Sequence, residues 1–143
     1  MDSAKRAISG TWGEVWLDDD KVSECYGLQA KVSFNKTDVA ICGQMAVDKK
    51  VVSTSNTGSL RMHKVNSRMA RKIGKDISNG KDVRFTVISK LSDPDAYGAE
   101  RVVLKNVSFD DLTLADWEAN NLGTIEAPFT FTAYKYLDEI EAE

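Results

Sequence analysis

The stretch from Leu28 to Val65 places the strongest constraint on the fold of this chain. It contains two long strand patterns that offer few large apolar side chains for burial. The first strand alternates apolar side chains with polar ones: Leu28, Ala30, Val32 and Phe34 against Gln29, Lys31, Ser33 and Asn35. The second has no large apolar side chain between Ser53 and Ser59. A strand needs an apolar face to hold it on its own core, and a long ribbon without one is unstable alone. The stretch therefore predicts a long β-hairpin that is completed by other copies of the protein.

A helix is predicted directly after this hairpin, at about residues 66–79. Asn66 or Ser67 can cap its start, and Asn79-Gly80 can end it. An apolar stripe recurs every four residues, at Val65, Met69, Ile73 and Ile77. Four basic residues lie outside that stripe: Arg68, Arg71, Lys72 and Lys75.

The remaining patterns are those of strands. Glu14–Asp18 and Lys21–Glu24 predict a short hairpin around the turn Asp18-Asp19-Asp20. Three further strands are predicted at Val83–Leu91, Arg101–Phe109 and Ile125–Tyr136. Together these elements predict a mainly β fold of two packed antiparallel sheets, a sandwich or barrel, with one flanking helix. A length of 143 residues suits a single domain, 1–143.

The charge and hydropathy patterns exclude two broad classes of protein. A formal net charge of -3 argues against a general nucleic-acid binder, which usually carries a basic balance. No stretch approaches the ~20 apolar residues of a membrane span, so no membrane insertion is expected. The polar N-terminus has no apolar segment behind it, and folding in the cytoplasm is therefore the expectation.

No constellation of catalytic, cofactor-binding or metal-binding residues is apparent, so no enzymatic activity and no cofactor are predicted. His63 is the sole histidine and is predicted to be a surface or interface residue. Cys25 and Cys42 match no zinc or redox spacing and are predicted to be reduced apolar fillers. The rings of Trp12, Trp16 and Trp117 are expected in the core or at a subunit interface.

Several short motifs occur in order along nearly the whole chain. They are Ile8-Ser9-Gly10, Asn35-Lys36, Cys42-Gly43, Thr57-Gly58-Ser59, Lys64-Val65-Asn66-Ser67, Glu100-Arg101-Val102-Val103-Leu104, Asn106-Val107-Ser108-Phe109-Asp110 and Pro128-Phe129-Thr130-Phe131. In this order they resemble the tail tube proteins of contractile phage tails, in particular the tubes of Gram-positive prophages and of phage-tail-like (R-type) bacteriocins. The first turn departs from the pattern, with Asp18-Asp19-Asp20 in place of a glycine-containing turn.

This resemblance implies a structural subunit of a hollow tube. Hexameric rings would stack inside a contractile sheath, and long hairpins from all subunits would line the bore as one barrel. The expected partners are other copies of the chain, the sheath protein, and baseplate or initiator and tape-measure proteins. DNA would pass only transiently in a phage, and ions would pass in a bacteriocin. The particle would assemble in the bacterial cytoplasm and be released with the phage tail or bacteriocin.

Within that frame, three groups of residues are predicted to have separate roles. The lumen-lining residues are Gln29, Lys31, Ser33 and Asn35, with Leu28, Ala30, Val32 and Phe34 buried behind them. The ring-to-ring contact is predicted at Asp48, Lys49 and Lys50, in a loop at Gly43–Lys50. The sheath contact is predicted at Arg68, Arg71, Lys72 and Lys75.

Other functions stay open at this point. One is a small monomeric β-barrel that binds a ligand or an oligosaccharide, which would need a pocket lined by aromatic side chains. Another is a needle or secretion-system tube subunit built on the same architecture. An enzyme would need catalytic partners for His63, and the sequence offers none.

Overall fold

The computed structural model describes residues 4–64, 70–95 and 98–140. Two short 3₁₀ turns, Ala4–Arg6 and Gly10–Trp12, precede the first strand. A helical segment lies between the fourth and fifth strands. The strands are β1 (Gly13–Leu17), β2 (Asp20–Lys21), β3 (Cys25–Val39), β4 (Asp48–His63), β5 (Phe85–Leu91), β6 (Glu100–Phe109), β7 (Thr124–Thr130) and β8 (Ala133–Asp138).

All strand pairings among the described residues are antiparallel, so the mainly β prediction is confirmed. The strands form one continuous sheet in the order β2-β1-β5-β6-β7-β4-β3, with β8 paired to β6. The predicted division into two separate sheets is not seen. The sheet is continuous because β6 changes partner along one edge, from β8 at Arg101–Lys105 to β7 at Ser108 and Phe109. The ladder of hydrogen bonds is therefore unbroken between the two halves.

The change of partner on β6 coincides with a break in the strand predicted at Ile125–Tyr136. This region forms two strands, β7 and β8, with Phe131 and Thr132 between them. Asn106 has a positive φ of 58°, and its side-chain amide donates to Thr132 Oγ1 at 3.1 Å. A residue in the left-handed region turns the backbone, and asparagine tolerates that region better than most residues. This corner directs β7 toward β4 and β8 back along β6.

The core lies beneath the central strands and the base of the long hairpin. Phe109 and Phe129 meet edge to face, with ring centroids 6.0 Å apart, and link β6 to β7. Burying large apolar side chains of this kind is the main stabilising contribution to a domain of this size. The buried cluster comprises Val15, Leu17, Val22, Leu60, Met62, Phe85, Val87, Leu104, Val107, Ala127, Phe129 and Phe131.

The long hairpin predicted from Leu28 to His63 is confirmed, with β3 and β4 paired from Cys25 to Val39. Its loop differs from the prediction. β4 begins at Asp48, so the loop covers residues 40–47 rather than Gly43–Lys50. Two register shifts interrupt the ladder, one between Cys25 and Gly27 and one between Asn35 and Lys36. Such bulges bend a strand pair and increase its twist.

The helix predicted at 66–79 is observed as two short pieces. A π-helical turn at Ala70–Gly74 runs into an α-helical turn at Lys75–Ser78. Gly80, with φ of +78°, follows the helix as predicted. Gly74 faces Leu112, since a Cβ placed on Gly74 would lie 3.3 Å from Leu112 Cδ2. The predicted first turn, residues 66–69, lies outside the described residues.

The short N-terminal hairpin is observed, but its second strand is β2, Asp20–Lys21, rather than the predicted Lys21–Glu24. Its turn begins at Asp18, which has a positive φ of 53° and a side chain that accepts from Thr86 N at 3.0 Å. β1 also pairs with β5 along its whole length, from Gly13 to Leu17. None of the described helices is long and apolar enough to cross a membrane.

Candidate assembly interface

The register of β3 with β4 fixes which side chains share a face of the long hairpin. Residues directly opposite in an antiparallel pair point to the same side. The predicted lumen-lining residues of β3 therefore share one surface, termed here the polar face, with four residues of β4. The cross-strand pairs of the polar face are Gln29–Ser59, Lys31–Thr57, Ser33–Ser55 and Asn35–Ser53.

The polar face is built from hydroxyls and amides with one charge, at Lys31. The side-chain amide of Asn35 donates to Ser53 Oγ at 3.0 Å and to Ser55 Oγ at 3.1 Å. Both bonds link the side chains of the two strands across the polar face. All four predicted residues of β3 are exposed in the isolated chain.

The opposite face of the hairpin is only partly covered by the chain itself. Leu28 and Val32 pack against the core. Ala30 is exposed and Phe34 is 61% exposed in the single chain, so their predicted burial would require neighbouring subunits and stays a prediction. The reason is that the core ends near the base of the hairpin, whereas β3 continues far beyond it.

Gly58 lets the base of the hairpin approach the core closely. A Cβ on Gly58 would lie 2.7 Å from Phe129 Cζ and would also press on the Gln29 carbonyl oxygen. Real Cβ atoms do not approach other atoms so closely, and only glycine fits there without displacing Phe129. The base of the hairpin is therefore packed closely against the core, and the rest of the hairpin extends beyond β7.

Both edges of the projecting hairpin are open among the described residues. β3 ends the sheet and has β4 as its sole strand partner. β4 pairs with β7 over Thr57–His63, and Phe131 N donates to Asn56 O at 3.2 Å. Residues 48–55 of β4 have no strand partner on that edge within the described ranges. Long unpaired edges are templates for pairing with another chain.

The predicted ring-contact residues lie within the strand near the end of this hairpin. Asp48, Lys49 and Lys50 pair with Val39, Asp38 and Thr37. Lys49 Nζ lies 3.8 Å from Asp38 Oδ1, a contact between exposed side chains. Residues 36–52, termed here the hairpin tip, also carry a set of exposed apolar side chains that the sequence reasoning passed over. These are Val39, Ile41, Met45, Val47, Val51 and Val52.

The predicted sheath-contact residues lie on or beside the helical segment. Arg71 is exposed. Arg68 lies outside the described residues, as do the side chains of Lys72 and Lys75. The structure therefore does not bring these four residues together as a described surface.

A second surface missed by the sequence reasoning is the extended connection between β6 and β7. Residues 110–123, termed here the acidic segment, contain no strand or helix. Trp117 is 82% exposed, and Leu114 and Leu122 are exposed to a similar degree. The composition of the acidic segment could have indicated this surface, because the segment has four carboxylates, no lysine and no arginine. Trp12 is also exposed, whereas Trp16 is half-buried.

The described residues do not gather reactive groups into a site. His63 is exposed, and its ring lies against Tyr26, with centroids 4.7 Å apart. No group of three or more metal-ligating side chains occurs in the described ranges. Burial raises the pKa of the half-buried Cys25 thiol, which keeps it protonated. Cys42 is free but exposed in the hairpin loop, so its prediction as a core filler is wrong.

A long open-edged hairpin on an antiparallel sheet is the kind of structure that can pair with strands of another chain, as structural subunits do. The chain belongs to the phage tail tube protein family, whose sequence pattern matches residues 2–138. It is thus a structural tail tube subunit and not an enzyme.

Relatives and solved structures agree with this placement. The chain is 31% identical over 130 residues to the phage-like element PBSX protein XkdM of Bacillus subtilis, covering 90% of this chain and 88% of that protein. Its fold matches a chain of an extracellular contractile injection system in an extended sheath–tube complex, with a TM-score of 0.74, 13% identity and 93% coverage of each chain. It also matches a chain of the anti-feeding prophage cap, with a TM-score of 0.75, 12% identity and coverage of 97% and 96%.

Proposed function

We propose that six copies of this chain close into a ring and that the rings stack into the hollow tube of a contractile particle. The observation that carries the proposal is the pair of open edges on one projecting hairpin. The β3 edge of one copy would pair with residues 48–55 of β4 in its neighbour. Such pairing closes a barrel between subunits and leaves no edge free to aggregate. The whole chain, 1–143, would act as one tube domain.

The polar face lines the water-filled bore in this arrangement. Side chains alternate across a strand, so Phe34 and its neighbours on the other face turn outward and are covered by the bodies of adjacent subunits. The lining of hydroxyls and amides, with Lys31 as its one charged side chain in each subunit, suits transport better than binding. The cargo would be DNA in a phage tail or ions in a bacteriocin, and it would contact the wall only transiently.

Contacts between rings involve the hairpin tip, including Asp48, Lys49 and Lys50. Because these side chains are exposed, each ion pair they make across rings contributes little free energy and mainly sets the register.

The outer surface of the tube meets the sheath, and its ends meet other particle proteins. Solved structures with this fold come from a sheath–tube complex, a tube cap and a six-fold symmetrised baseplate. By analogy, the partners here are a sheath, a baseplate or initiator, and a tape-measure protein. Arg68, Arg71, Lys72 and Lys75 would meet the sheath, and assembly would take place in the bacterial cytoplasm.

Negative-stain electron microscopy of the purified protein at high concentration tests this proposal. Hollow rings or filaments with six-fold averages are expected, at once or after addition of a baseplate nucleus. A chain that stays monomeric at every concentration, even with sheath or baseplate partners, would contradict it. The monomeric ligand-binding alternative predicts that second result.

A further inference from the structure

The hairpin tip combines exposed apolar side chains with unpaired positive charge. Met45 is fully exposed, and Val47 and Val52 are more than half exposed. Neither Lys36 nor Lys50 has a carboxylate within 4 Å in the ranges that the structure describes, whereas Lys49 is close to Asp38. Exposed apolar side chains gathered at one end of a hairpin, with unpaired lysines among them, are typical of an interaction surface.

The acidic segment has the complementary character. Its apolar side chains, Leu114, Trp117 and Leu122, are exposed, and tryptophan is among the residues that contribute most to interfaces. Its carboxylates have no basic partner within 4 Å among the described residues. The chain has no lysine or arginine between Lys105 and Lys135. The carboxylates are Asp110, Asp111, Asp116 and Glu118.

The sheet places these two surfaces at opposite ends of the hairpin. The acidic segment leaves β6 at Phe109, which pairs with Phe129 beside Gly58, and it returns where Lys64 N donates to Gly123 O at 2.8 Å. At about 3.3 Å per strand residue, the start of β4 lies about 30 to 50 Å from these two anchor points. Trp117 is six residues from Gly123 and can extend only about 22 Å from it. Trp117 therefore cannot reach residues 40–48, the far end of its own hairpin.

We infer that the hairpin tip of one copy docks on the acidic segment of a second copy in the next ring. The binding partner of the hairpin tip is a second copy of this chain for two reasons. The tip and the acidic segment both expose apolar side chains and carry opposite charges, and they lie toward opposite ends of one molecule. Two different surfaces that meet head to tail repeat without limit, as stacking requires. The inference rests on the proposed tube and names the surface of the adjacent ring that each tip contacts.

Native Cys42 lies in the hairpin tip and is exposed, so it can report this contact. In a Cys25→Ser background, Ala119→Cys adds a thiol to the acidic segment, at an exposed position. Assembled tubes treated with a short bis-maleimide should give a ladder of cross-linked multimers. Ser92→Cys is the matched control, because Ser92 is exposed near the end of β6 that lies away from the acidic segment. The control should give only background cross-linking.

Charge exchange provides a second measurement should a cysteine variant fail to assemble. Lys36→Glu with Lys50→Glu should shorten the tubes, and adding Asp116→Lys with Glu118→Lys should restore their length. Tubes in which Ala119→Cys cross-links no better than Ser92→Cys, or in which the exchanged charges do not restore length, overturn this docking and leave the tube itself intact. Failure of the unmodified chain to form any tube would overturn both proposals.

Discussion

Single residues determine how the hairpin is seated, and Gly58 is the clearest case. Gly58→Ala should destabilise the fold by about 1–3 kcal/mol, because the added methyl group must displace the Phe129 ring or the β3 backbone. Urea denaturation of the unassembled chain measures this change. Gly10→Ala is the matched control, since a Cβ there meets nothing within 4 Å. Equal midpoints for the two variants would show that the close approach at Gly58 is absent.

Some residue-level predictions followed directly from the sequence and others did not. The alternation in β3 predicted the sidedness of Gln29 and Lys31, because a two-residue period belongs to any strand. The facing of residues 53–59 could not be predicted, since both faces are polar and either register satisfies the pattern. The cross-strand partners resolve it. The exposure of Cys42 was missed because a small apolar side chain alone does not show where the core ends.

At the scale of elements, the corner at Asn106 joins the two halves of the sheet. Asn106→Ala loses the hydrogen bond to Thr132 and places alanine at φ of 58°, a left-handed conformation that alanine tolerates less well than asparagine. We expect a loss of about 1–2 kcal/mol in the free energy of unfolding. Asn106→Gly loses the same hydrogen bond but tolerates the backbone, so it should be less destabilised. An alanine variant as stable as the glycine variant would contradict this role.

The types of elements were largely predictable, whereas their interruptions were not. The strand pattern at Ile125–Tyr136 alternates without a break, yet the chain divides there because β6 exchanges partners. That exchange depends on a distant contact, Asn106 with Thr132, which no local pattern contains. The helix stripe likewise predicted a helical segment but not its π turn, which depends on local backbone geometry.

At the scale of the whole molecule, adjacent residues on opposite faces of β3 should affect assembly differently. Phe34→Asp should abolish rings and tubes, because it places a charge where subunits meet. Ser33→Asp should still assemble, because its carboxylate faces water in the bore and is screened by salt. Both side chains are exposed in the single chain, so circular dichroism should show an unchanged fold in each variant. If Phe34→Asp formed tubes and Ser33→Asp did not, the face of β3 proposed to line the bore would be the wrong one.

The account as a whole depends on which face of the long hairpin points into the bore. A helical reconstruction of the assembled tube by cryo-electron microscopy, at side-chain resolution, measures this directly. We predict six hairpins per ring joined edge to edge, with Gln29, Lys31, Ser33 and Asn35 pointing into the lumen and Phe34 enclosed between subunits. A tube in which Leu28, Val32 and Phe34 face open solvent or the lumen would contradict the account.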